Sequence, residues 1–246
     1  MTPTPDTRTP ADSPLPQAPT DRRAETLADA TVDAYVDASV DGLAIQALSC
    51  AAGARPLFSG QSFGVSPGHW MMLTGRNGSG KTTLMRAVAG LVRPLGGTVL
   101  WRGRPQRPRD AGWRRMFYYE GHASAIKPEF SAIENLATQA ALDHGRAPDA
   151  GTLAGALERV GLARVRHVVG ARLSAGQVRR LNLARLLCGH RPLWLLDEPA
   201  NALDSQGLAL LADLLDTHLD GGGCALVASH QPLPTRRPPQ RHELRP

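Results

Sequence analysis

Short apolar runs punctuate the chain from residue 43 onward, and they carry two rhythms. Runs at 43–50, 61–65, 69–74, 98–101, 116–119, 193–196 and 224–228 are brief, bounded by Gly, Pro or charged residues, and predict strands. The first two are joined by a Gly/Pro-containing connection that ends at Arg55-Pro56. Those at 69–74 and 193–196 read as buried strands. Helical spacing takes over at 84–91, 131–142, 153–160, 173 to about 188, and 205–219. Ser131 with Glu134 three residues on forms a capping box, and Gly161 ends the next helix. Leu208, Leu211 and Leu215 share one helix face and are expected in the core. Arg179, Arg180 and Arg185 are expected to face water or a nucleotide. Strands and helices alternate, which predicts an α/β fold. The helices gathered between 122 and 190 interrupt that alternation and predict an inserted helical subdomain.

Both ends lack this patterning. Residues 1–20 are rich in proline and poor in large apolar side chains, so they bury too little surface to offset chain entropy. From 24 to 41, Asp29, Asp33, Asp37 and Asp41 recur at helical spacing and would form one self-repelling acidic stripe. Residues 1–42 are therefore expected to be a disordered acidic leader and 43–232 the folded domain. The Pro/Arg-rich tail, 233–246, is given no firm structure.

Composition narrows the class. Across 246 residues, 42% are hydrophobic and only 4% aromatic, so a core is affordable but must be mainly aliphatic. The formal net charge is +6. Acids outnumber bases in the leader, which leaves the remainder more basic than the total. Its arginines are scattered and form no basic run interleaved with aromatics, which argues against a nucleic-acid partner. Cys50, Cys188 and Cys224 are far apart and odd in number, as expected of reduced thiols in a cytosolic protein. No apolar run reaches the length needed to span a bilayer, and the N-terminus has no signal-peptide pattern.

Chemistry concentrates at the ends of the strands. Gly75-Arg76-Asn77-Gly78-Ser79-Gly80-Lys81-Thr82-Thr83 fits G-x-x-x-x-G-K-[ST] between a strand and a helix, the phosphate-binding loop. Its glycines allow successive N–H groups to point inward at phosphate oxygens, and the following helix adds partial positive charge. Lys81 is assigned to the β- and γ-phosphates, and the Thr82 hydroxyl to Mg²⁺. The apolar strand 193–196 ends in Asp197-Glu198 before Pro199. Asp197 is expected to hold the Mg²⁺ water shell, and Glu198 to polarise the attacking water as general base. Ser174 and Gly176 open a helix, where a hydroxyl and a close-approaching N–H suit either a phosphate or an ordinary helix cap.

Together these residues resemble the nucleotide-binding domain of ABC transporters over most of the chain. The match comprises the phosphate loop (Walker A), the signature Leu173-Ser174-Ala175-Gly176-Gln177, the Walker B acids Asp197 and Glu198, the D-loop Asn201-Ala202-Leu203-Asp204, and the switch histidine His230. The resemblance implies a P-loop NTPase fold with a helical subdomain, ATP and Mg²⁺ as ligands, and two copies packed head to tail. Each ATP would lie between one copy's Walker A and the other's Ser174, Gly176 and Gln177. His230 would contact the γ-phosphate, and Asp204 would signal across the dimer.

The chain departs from the family pattern at two places. The slot of the Mg²⁺-touching glutamine holds His122, and no Phe, Tyr or Trp lies between Val36 and Leu57 to stack on adenine. Leu57-Phe58-Ser59-Gly60, Gly121-His122, Glu134-Asn135-Leu136 and His230-Gln231-Pro232-Leu233 resemble the cytochrome c biogenesis ATP-binding export branch, in which that slot also looks like His. This resemblance implies a peripheral subunit on the cytoplasmic face of the bacterial inner membrane. It would reach the membrane through permease partners of the cytochrome c maturation system, and its ATPase cycle would serve haem transport. An ABC transporter for another substrate shares the same ATPase motifs. The soluble ABC-type ATPases usually carry a long coiled coil or two such domains. The short separation of Lys81 and Ser174 and the single copy of each motif argue against that class.

Overall fold

The structure, a computed structural model, describes Met1 and residues 41–121 and 125–244. In chain order it runs β1 (Leu43–Ala52), β2 (Arg55–Val65), β3 (Trp70–Thr74), α1 (Lys81–Val88), β4 (Gly96–Trp101), β5 (Arg104–Pro105), α2 (Ala111–Arg114) and β6 (Phe117–Glu120). It continues through α3 (Ala132–His144), α4 (Ala150–Arg159), α5 (Ala175–Ala184), β7 (Leu193–Asp197), α6 (Ser205–Asp220), β8 (Cys224–Ala228) and β9 (Gln240–Glu243). An antiparallel sheet of order β2-β1-β4-β5 stands beside a parallel sheet of order β6-β7-β8-β3-β9.

The parallel sheet is the spine. Every residue of β7 and β8 is buried, because both faces are covered. Side chains alternate between two cores. Trp70, Met72, Trp194, Leu196, Ala225 and Val227 face one core with residues of α3, α4, α5 and α6. Met71, Leu73, Leu193, Leu195 and Leu226 face the other with α1 and the antiparallel sheet. The C-terminal ends of β3, β6, β7 and β8 therefore share one edge. The phosphate loop, Glu120, Asp197 and the residues after Ala228 stand along it.

Between β6 and β7 the described chain is helical, in the position expected for the inserted subdomain. The Ser131–Glu134 capping box forms, and α3 ends at Gly145 in the left-handed region. Ser174 and Gln177 make a second capping box at α5. That helix gives way at Ala184 to a tighter 3₁₀ turn, Arg185–Leu187, rather than running on to residue 188. Leu211 and Leu215 are buried as expected, with Leu208 packed against them. The three cysteines are free and buried.

Three expectations are corrected. β2 begins at Arg55, so Pro56 lies within a strand and not in a connection; it is tolerated because β2 is an edge strand with an unpaired side. The helix after the phosphate loop starts at Lys81 and ends at Val88, since Gly80 in the left-handed region acts as its N-cap. The tail is not structureless. β9 pairs in parallel with β3, Met71 opposite Gln240 through Thr74 opposite Glu243, and Leu244 is buried beyond it. Arg236 and Arg237 fasten the approach by pairing with Asp220 at 2.6 and 3.0 Å. The acidic stripe expected at 29–41 lies almost wholly outside the described residues, as does His122.

Candidate functional site

The phosphate loop is held in conformations that need glycine. Gly75, Gly78 and Gly80 have φ of 142°, 79° and 101°. A Cβ on Gly75 would stand 2.8 Å from the Leu244 carbonyl, and one on Gly80 would stand 2.8 Å from the buried Phe58 ring. The loop is thus braced by the tail strand on one side and by β2 on the other. No side chain caps α1 and no acid lies in its first turn, so its N-terminal N–H groups remain available to an anion.

Lys81 is buried and folds back over this loop. Its ammonium donates to the carbonyls of Gly75 at 2.8 Å and Arg76 at 3.4 Å, and lies 3.2 Å from His230 Nε2. His230 Nε2 in turn lies 3.3 Å from the Glu198 carboxylate. One line of contact therefore runs from the phosphate-loop lysine through the histidine after β8 to the acid after β7. Glu198 has φ of 54°, a left-handed value unusual for a residue with a side chain. Its N–H donates to the Ala228 carbonyl at 2.9 Å, which fixes it against the end of β8.

Asp197, the last residue of β7, is 1% exposed, and neither carboxylate oxygen has a hydrogen-bond partner among the described residues. The Ser79 hydroxyl of the phosphate loop is also buried without one. A buried, unpaired carboxylate is costly, and coordination of a cation is a usual remedy. The donor set at this edge, a free carboxylate beside an N-terminal helix nest that carries Thr82, fits a hard divalent ion bound with phosphate.

The second group of expected residues gathers elsewhere, at the start of α5. Ser174 is exposed, its hydroxyl accepts the Gln177 N–H at 3.2 Å, and its own N–H donates to the Gln177 side chain at 2.9 Å. Gly176 packs beside the Ala202 carbonyl. Asp204 caps α6 by accepting the Gly207 N–H and also accepts two bonds from Arg180, at 2.8 and 3.0 Å. Those bonds, Arg180 first, hold its carboxyl below the usual range. Among the described residues, Ser174 and Gln177 make no hydrogen bond to the phosphate loop of their own chain.

The arginines of α5 and of the 3₁₀ turn after it do not face water or nucleotide as expected. Arg179 is buried against Glu120, Arg180 binds Asp204, and Arg185 binds Asp143 and covers the Tyr118 ring. Each has an acidic partner far away in sequence, which local patterning does not reveal. Glu120 was missed altogether. Its signal was a carboxylate ending an aromatic strand, the same form that marked Asp197.

The family described as ABC transporter matches residues 58–201. The chain is 45% identical to the cytochrome c biogenesis ATP-binding export protein CcmA of Methylococcus capsulatus, over 79% of this chain and 93% of that protein. The chain belongs to the ABC transporter family, among its cytochrome c biogenesis ATP-binding export proteins. Solved structures agree on the fold. An ABC transporter ATP-binding protein from Pyrococcus furiosus superposes with a TM-score of 0.70 at 22% identity, over 82% of this chain and 96% of that one. A dimeric ATP-binding cassette in a post-hydrolysis state with ADP and phosphate gives 0.68 at 21% identity, over 77% and 88%. In this ABC ATPase, then, Lys81 of Walker A and Glu198 of Walker B are linked through His230 within one chain, while Ser174 of the signature is exposed and bonded only within its own helix start among the described residues.

Proposed function

We propose that this chain is the ATP-hydrolysing subunit of a cytochrome c biogenesis ABC transporter, active as a head-to-tail pair. The observation that carries the chemistry is the contact line Lys81–His230–Glu198 beside the unpartnered Asp197. Lys81 would exchange its loop carbonyls for β- and γ-phosphate oxygens, supported by the N–H groups of Gly75 to Thr83. Thr82 and Asp197 would hold Mg²⁺, which when bound would neutralise phosphate charge. Glu198 would take a proton from the attacking water, and His230 would donate to the γ-phosphate. Because Ser174 is exposed and, with Gln177, bonded only within its own helix start among the described residues, Ser174, Gly176 and Gln177 would complete the site of a second copy, with Asp204 near the junction.

No helix among the described residues is long and apolar enough to cross a membrane. We therefore assign membrane attachment, at the cytoplasmic face of the inner membrane, to permease partners of the cytochrome c maturation system. The cycle would drive haem export or release of the haem-loaded chaperone. Purification from detergent-solubilised host membranes tests this. Recovery of a multi-span permease with cytochrome c maturation proteins is expected; recovery of an unrelated permease overturns the cytochrome c assignment and leaves the ATPase chemistry intact.

A further inference from the structure

Arg179 sits where three segments of the site meet. Its Nη1 donates to Glu120 Oε1 at 2.6 Å, its Nη2 to the Glu198 carbonyl at 3.1 Å, and its Nε to the Asn201 carbonyl at 3.2 Å. Both members of the ion pair are buried, with side chains 10% and 3% exposed. Burial pushes the Glu120 carboxyl above its ordinary value, and Arg179 opposes that rise.

A buried ion pair of this kind is a poor source of net stability, because desolvation consumes most of the attraction. What it supplies here is geometry. The guanidinium is a rigid planar fork, and Glu120 fixes its orientation from the end of β6. The remaining donors then reach two carbonyls, one of them on the left-handed residue Glu198. The Glu198 N–H is already tied to Ala228, and its carbonyl accepts from the Asn201 N–H at 3.2 Å as well as from Arg179. The direction of the Glu198 side chain toward His230 is therefore set by a backbone held at both ends.

We propose that Arg179, oriented by Glu120, is a positioning residue that holds the backbone of the general base Glu198 and of the Asn201–Asp204 turn in hydrolytic register. This rests on the reading of Glu198 as the base. It adds that a residue of the signature helix, on the same chain, sets the base's position without touching nucleotide.

The test uses the full chain and measures kcat, ATP KM and Tm for three variants beside Glu198→Gln. Arg179→Lys keeps the charge opposite Glu120 but loses the fork. Its kcat is expected to fall about tenfold or more, the scale of a small misplacement at a reacting centre, with KM little changed. The neutral pair Glu120→Gln with Arg179→Met removes the buried charges together. A purely structural role predicts that this pair recovers both Tm and kcat, whereas positioning predicts recovered Tm with kcat still depressed. Glu120→Gln alone should give a smaller kcat loss, since the donors to the carbonyls remain. Wild-type kcat in both Arg179→Lys and the neutral pair overturns the proposal while a dead Glu198→Gln leaves the base intact. An active Glu198→Gln instead removes the base assignment itself, whatever the arginine variants do.

Discussion

The Walker A and B region and the signature region are built on opposite plans. In the first, residues far apart in sequence are drawn into contact: Lys81 reaches His230, His230 reaches Glu198, and Leu244 braces Gly75. Its unsatisfied groups, the Asp197 carboxylate and the Ser79 hydroxyl, are buried. In the second, Ser174 and Gln177 satisfy each other across a capping box, and Ser174 remains exposed. The contrast teaches how the labour is divided. Buried orphaned atoms suit a region built to take a ligand, whereas a locally satisfied but exposed helix start is suited to meet a surface, which on the proposed reading is the second copy's nucleotide. Arg179 joins the two regions inside one chain.

Substitution of Lys81 by Ala should have the largest effect. It removes the ammonium placed over the loop, so nucleotide affinity and hydrolysis should both collapse, hydrolysis by about a hundredfold to a thousandfold. Retained ATP binding by fluorescence titration would break the assignment of the first region. Ser174→Arg should come next and behave differently. It adds bulk and charge at an exposed cap, so hydrolysis should fall steeply while the isolated chain's ATP affinity stays unchanged. The lost cap should cost about 1 kcal/mol of stability. A parallel loss of ATP affinity would mean that the two regions are not separate.

Removal of residues 238–246 should weaken ATP binding by about tenfold, or ~1.4 kcal/mol, because β9 and Leu244 no longer brace the loop at Gly75. Unchanged affinity would show that the loop holds its shape alone. A titrating histidine sets the pH window for all these comparisons. His218 stacks on Trp194 with ring centroids 4.0 Å apart, and burial lowers its pKa to about 4 from 6.5. Between those values the unfolded chain binds the extra proton. Stability is therefore intact above about 6.5 and falls as pH drops toward 4, by at most about 3 kcal/mol. His218→Phe, which keeps the stack, should flatten that slope in denaturant titrations.

The sequence made some of this legible and hid the rest for physical reasons. The phosphate loop, the two acids after an apolar strand and the Ser131 cap are written in consecutive residues, and each was readable. Buried strands were equally plain, since a run such as Leu193 to Leu196 has one environment. β9 was not, because an edge strand held by backbone bonds needs no apolar run; Gln240 to Glu243 are all polar, and the anchoring comes from His242 packed on Phe63 and from buried Leu244. The Arg179–Glu120 pair spans two motifs far apart in sequence, so neither residue marks the other. Pro56 misled because a proline signals a turn unless the strand is known to be an edge.

The most direct test of the central claim, that a second copy completes the site, is the mass of Glu198→Gln with ATP and Mg²⁺ in analytical ultracentrifugation. Without the base but with every binding contact kept, the variant should sediment as a stable dimer that reverts to monomer when nucleotide is removed. A variant that remains monomeric at high protein concentration with nucleotide bound would contradict the composite site for the isolated subunit.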